Sequence, residues 1–327
     1  MTKRTGMKKR YQTRRRLLLA VCLPLWAVAL SGCVNEDWTD CNLPTIRITA
    51  PLFAGHDPIA PADVRQVTAY VFDDAGKALL EVIPSRLGAV HTLNHPGRGR
   101  LYVMAVANCL DRVSVTDMKP GHRLSAASVD LQPLASDGAF YDTSDDLMWG
   151  EAVVANHTAG AAELVDLPIR RVVAGIFIRV RGLANKTSAS LDDVYVAMGT
   201  QYNTFSFRGE PGWTGMKAAG DVMHRPVSGR NPADRSVIEA PDPAGAEPSF
   251  SVLSTDAGRE VSISVGDPSG TIATVTHQAD DNGVMHPLMA KNGMLNIFEL
   301  TFAADGSVGV KVEQARWGER PPIDKEF

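Results

Sequence analysis

The sequence predicts an all-β protein, and three observations carry that expectation. Runs of five to eleven residues rich in β-branched and aromatic side chains recur along the chain. The 20 prolines and 28 glycines are spread between them rather than gathered in one tract. No stretch of about fifteen residues has the 3.6-residue apolar spacing of a helix. Branched and aromatic side chains suit a pleated surface, and glycine and proline supply the turns that separate strands. Strands at this spacing imply sandwiches. With 44% of its 327 residues hydrophobic and 21% charged, the chain can build real cores, which excludes a disordered polymer.

The first element is not a strand. Lys3, Arg4, Lys8, Lys9, Arg10, Arg14, Arg15 and Arg16 precede LLLAVCLPLWAVAL, residues 17–30, which carries no charge. As a helix it would be about 21 Å long, short of a roughly 30 Å hydrocarbon core. It therefore reads as the apolar region of a signal peptide spanning 1–32. Leu30-Ser31-Gly32-Cys33 resembles the lipobox of bacterial lipoproteins, which makes Cys33 the lipidated first residue of the mature chain. Residues 33–43 then form an acidic tether, and Glu36-Asp37 resembles the surface-export tag of Bacteroidota lipoproteins. The whole chain carries a net charge of −4; losing eight basic residues with the signal leaves −12, which argues against nucleic acid as a partner. Of the four cysteines, Cys22 leaves with the signal and Cys33 is acylated. Cys41 and Cys109 can pair in an oxidising compartment, stabilising by roughly 4 kcal/mol. Two separate buried thiols are the alternative.

Along the mature chain the expected strands are Thr45–Thr49 and Val64–Phe72, then Leu79–Ile83 after the turn Asp73-Asp74-Ala75-Gly76. Arg100–Asn108 is nearly continuous in apolar residues, as a strand covered on both faces should be. A short helix or turn is expected around Ser125–Leu134. Arg171–Arg181 is the most strand-like segment, followed by Leu191–Met198, Ser249–Leu253, Val261–Val265, Thr271–His277, Leu295–Phe302 and Ser307–Trp317. Gly209–Pro248 and Gln278–Gly293 read as surface loops. A boundary at Leu167-Pro168 divides the chain into domains at 44–167 and 168–327, each of ordinary size.

Taken in order, several stretches resemble the FimB/Mfa-type fimbrium-anchoring lipoproteins of the Bacteroidota fimbrillin superfamily. They are Cys33 to Cys41, Val71 to Gly76, Tyr102 to Asn108, Asp146-Leu147-Met148-Trp149-Gly150, and the final pair Leu295–Phe302 and Val310–Trp317. The resemblance implies two transthyretin-like β-sandwich domains in tandem after a lipoprotein signal peptide. It implies a non-enzymatic role at the outer membrane, anchoring or capping a fimbrium, with fimbrial shaft subunits as partners joined by β-strand addition. Arg316–Phe327 could be a donor segment or a frayed tail.

The remaining constellations point to no chemistry. His91 and His95 lack an intervening acid and are followed by Pro96 and Gly97, against a metal-binding helix. Asp142, Asp145 and Asp146 lack calcium-loop spacing. Asp192-Asp193 and Asp280-Asp281 suit turns. No nucleophile elbow or phosphate loop appears, so no catalytic residue, metal or cofactor is expected. Trp149, Trp213 and Trp317 could instead stack on sugars, which makes a surface glycan-binding or adhesive lipoprotein, with a host ligand or glycan as partner, the alternative reading.

Overall fold

Strands dominate the structure, a computed structural model that describes residues 43–74, 77–95, 99–134, 137–141, 145–155, 164–207, 216–244, 249–255 and 257–317. The expected signal peptide at 1–32, Cys33 and Cys41 lie outside the described residues. In the first half run β1 (Thr45–Thr49), β2 (Val67–Asp73), β3 (Leu79–Ser85), β4 (Val90–Thr92), β5 (Arg100–Ala107), β6 (Val113–Val115), β7 (Ser128–Leu131), β8 (Pro133–Leu134), β9 (Asp137–Tyr141), β10 (Met148–Ala155), β11 (Leu164–Pro168) and β12 (Arg170–Arg171). The next stretch holds β13 (Val173–Arg181), β14 (Tyr195–Ser206), β15 (Met216–His224), β16 (Gly229–Arg230), β17 (Ile238–Ala240) and β18 (Phe250–Leu253). The chain then forms β19 (Arg259–Glu260), β20 (Ser262–Asp267), β21 (Gly270–Val275), β22 (His277–Ala279), β23 (Met285–Pro287), β24 (Met289–Ala290), β25 (Leu295–Phe302) and β26 (Val308–Ala315).

A five-stranded sheet, ordered β12-β10-β5-β2-β3, is covered on both faces. Leu101, Val103, Ala105 and Ala107 point to one core, under the three-stranded sheet β11-β1-β4; Tyr102, Met104 and Val106 point to the other. This double burial is why β5 reads as an unbroken apolar run rather than an alternating one. The second core is closed by β7, by Leu124 and by Tyr202, Phe205 and Phe207 at the end of β14. β7 pairs with β14 through Asp130 and Thr204, so the two halves of the chain share a sheet.

In the second half the sheet β16-β17-β13-β25-β26, with β18 also on β13, faces the sheet β21-β20-β14-β15-β9-β8. Ala174, Ile176, Ile178 and Val180 of β13 meet Val196, Met198, Ile263 and Val265 across this core. The described residues from Pro44 to Trp317 fall in one compact unit.

Three sequence readings are corrected here. Gly209–Pro248 contains β15 to β17, and β17 pairs with the central strand β13. Gln278–Gly293 contains β24 and most of the hairpin β22-β23. The segment near Ser125 makes one short helical turn, Leu124–Ala126, and then β7, whose buried residues alternate. In each case the strand is only two to nine residues long and is held by its neighbours rather than by its own propensity.

Candidate functional site

The predicted lipid site at Cys33 and the tether lead into β1, where the described structure begins. β1 is the middle strand of its sheet, parallel to β11 and antiparallel to β4. Period-two alternation places Ile46 and Ile48 wholly inside the core, while Arg47 faces solvent. There the Arg47 guanidinium grips Asp166 of β11 through two bonds of 2.8 and 3.1 Å. Hydrogen bonding within this pair lowers the Asp166 pKa and raises that of Arg47. The Leu93 amide donates to the Pro44 carbonyl at 2.9 Å and the Ile169 amide to that of Thr49 at 2.8 Å, closing both ends of the strand.

At the C-terminal end of β1 lies a buried polar hub around Arg171 and Asn108, to which Asn108, Asp146 and Trp317 come from stretches that resembled the anchoring lipoproteins. Asn108 ends β5 in the left-handed region, φ 59°, where asparagine is tolerated better than most residues. Its carbonyl oxygen accepts from the Arg65 amide at 2.8 Å, and its amide nitrogen donates to the carbonyls of Asp63 and Asp146 at 2.7 and 2.9 Å. Arg171, 1% exposed, donates to Asp63 at 2.9 Å and to Asp146 at 3.0 Å. Its guanidinium lies 4.5 Å from the centre of the Trp317 ring, and the Trp317 amide donates to Asp57. Burial outweighs the attraction of Arg171 and pushes the Asp146 carboxyl up to about 6. Gly150 is needed here because a Cβ would come within 1.9 Å of the Pro168 carbonyl oxygen.

The other candidate residues are dispersed. Cys109 is half-buried beside the hub, its thiol pushed up to about 12 by burial and then by Asp145. Its expected partner Cys41 lies outside the described residues. His91 Nε2 bonds Ser85 Oγ at 2.6 Å and His95 Nε2 meets Glu81 at 3.0 Å. Asp145 accepts from the amides of Leu110 and Arg112, and Asp146 faces Arg171; Asp142 lies outside the described residues. Asp192 pairs with Arg230, and Asp280 accepts from the amides of Asn282 and Val284. Trp149 packs edge-on against Phe205 at 5.8 Å, Trp317 lies beneath Arg171, and Trp213 is outside the described residues. Among the described residues no group of three or more His, Cys, Asp or Glu is placed to hold a metal ion.

Sequence reasoning missed Arg171 and Arg179. Arg179 is 2% exposed on β13 and bonds Glu239 at 3.0 Å and Glu299 at 2.6 Å. These residues sit directly opposite it on β17 and β25. The legible signal was the arginine itself, set in an apolar run where a buried cation needs partners.

A sequence model of the fimbrillin-A associated anchor proteins Mfa1 and Mfa2 matches residues 40–320. Comparison with curated proteins gives no match. Among solved structures, the fold is similar to the fimbrial anchor protein Mfa2 from Porphyromonas gingivalis, with 16% identity, a TM-score of 0.56, and coverage of 84% of this chain and 98% of that one. It is similar to a candidate adhesin from Bacteroides ovatus, with 14% identity, a TM-score of 0.60, and coverage of 88% and 98%. A candidate polysaccharide-binding protein from Bacteroides thetaiotaomicron gives 13% identity, a TM-score of 0.60, and coverage of 87% and 100%.

Proposed function

The chain belongs to the fimbrillin-A associated anchor proteins, and from that premise we propose that it anchors or caps a fimbrium as an outer-membrane lipoprotein. Cys33 carries the lipid, residues 33–43 form the tether, and β1 joins the tether to the body. Each buried methylene of an acyl chain contributes roughly 0.8 kcal/mol, so two or three chains hold the protein durably without a spanning helix. The role is structural and non-enzymatic, with fimbrial shaft subunits as partners at the cell surface. The body is read as two tandem transthyretin-like sandwiches that share a sheet where β7 meets β14.

The observation that carries this reading is the family match over residues 40–320, which begins seven residues after the lipobox cysteine. The test compares wild type with Cys33→Ala on intact cells by cross-linking and mass spectrometry. A shaft subunit cross-linked to the wild type, with fimbriae shed into the medium by the variant, is the expected result. An unlipidated wild-type protein bound to no polymer would overturn it and favour adhesion to a host ligand or glycan.

A further inference from the structure

Two covalent paths meet at the ladder between β1 and β11. The tether enters β1 at its N-terminal end, at Pro44 and Thr45. The second half of the chain leaves β11 at its C-terminal end, through Ile169, the buried Arg171 and Val173 into β13. β1 and β11 are parallel neighbours, registered from Thr45 opposite Leu164 to Thr49 opposite Pro168. Tension between the tether and the second half therefore pulls the two strands from opposite ends.

We propose that β1 is a mechanical lock loaded in shear. In a parallel pair pulled this way the ladder bonds share the load and must fail together; pulled from the same end, they would open one at a time. Three features oppose sliding. Ile46 and Ile48 are 0% exposed, so a shift of one residue would drag both out of the core and turn Arg47 into it. The Arg47–Asp166 fork ties the two strands on the solvent face. β4 holds the other edge of β1, so the strand has bonded neighbours on both sides. An antiparallel partner would bring both loads to one end of the ladder and lose this arrangement.

The proposal rests on residues 33–43 being the tether, and its test does not depend on the cell-surface assay. The mature chain would be pulled in a single-molecule force experiment between a handle replacing the lipid at residue 33 and a second handle at the exposed Ser188, beyond β13. Moving the first handle to Leu52, which is 71% exposed and follows β1, brings both loads to the C-terminal end of the ladder. The expected result is a rupture force severalfold higher for 33/188 than for 52/188, with Arg47→Ala lowering only the 33/188 force. Arg47 is exposed, so this variant leaves the core intact. Equal forces in the two geometries, or β1 detaching at lower force in 33/188, would overturn the lock. Fimbrial shedding unaffected by Cys33→Ala would instead overturn the anchor reading while leaving the force result standing.

Discussion

Asp146 shows how one residue couples the hub to pH. Its carboxyl accepts from a buried arginine, yet its pKa rises to about 6 because desolvation outweighs that attraction. A carboxyl that binds its proton more tightly when folded adds stability that is complete below the ordinary carboxylate pKa and is lost as pH rises through 6. Lowering the pH from 7 to 4 should therefore stabilise the wild type relative to Asp146→Asn. Urea midpoints measured at several pH values check this, and a wild-type stability that does not rise relative to that of the variant as the pH falls would refute it. Arg171 and Asn108 had no legible role in isolation. Both act through residues far away in sequence, such as Pro58, Asp63 and Asp146, and nothing local marks those distances.

Among elements, β10 was only partly legible. Only its first residues stood out in sequence, because Gly150, Glu151 and the small alanines dilute the branched residues that mark a strand. It forms because β5 pairs with it along its full length, from Met148 opposite Ala107 to Ala155 opposite Arg100. Gly150 lets β10 pass beneath Pro168 at the point where β11 hands the chain toward the second half. Gly150→Ala should therefore cost about 1–3 kcal/mol of folding stability, the usual cost of overpacking. Chemical denaturation measures it, and an unchanged midpoint would show that β11 yields freely. β1, β2, β5, β13 and β25 were legible because their burial is strong and their apolar runs are continuous or alternate cleanly.

Across the whole molecule, strand direction sets how the two halves of the chain are joined. β1 runs toward the hub in parallel with β11, and β5 also runs toward it, ending at Ala107 just before Asn108. Gly150 lies against Pro168 and opposite Ala105, and Pro168 is opposite Thr49. The sequence alone determined the all-β character and the principal strands, because period and propensity are local properties written residue by residue. Tertiary structure alone decided the parallel seating of β1 on β11, the sheet shared by β7 and β14, and the partners of Arg171 and Arg179. Those depend on which distant strands lie side by side, and the chain meets that condition only once its cores have closed.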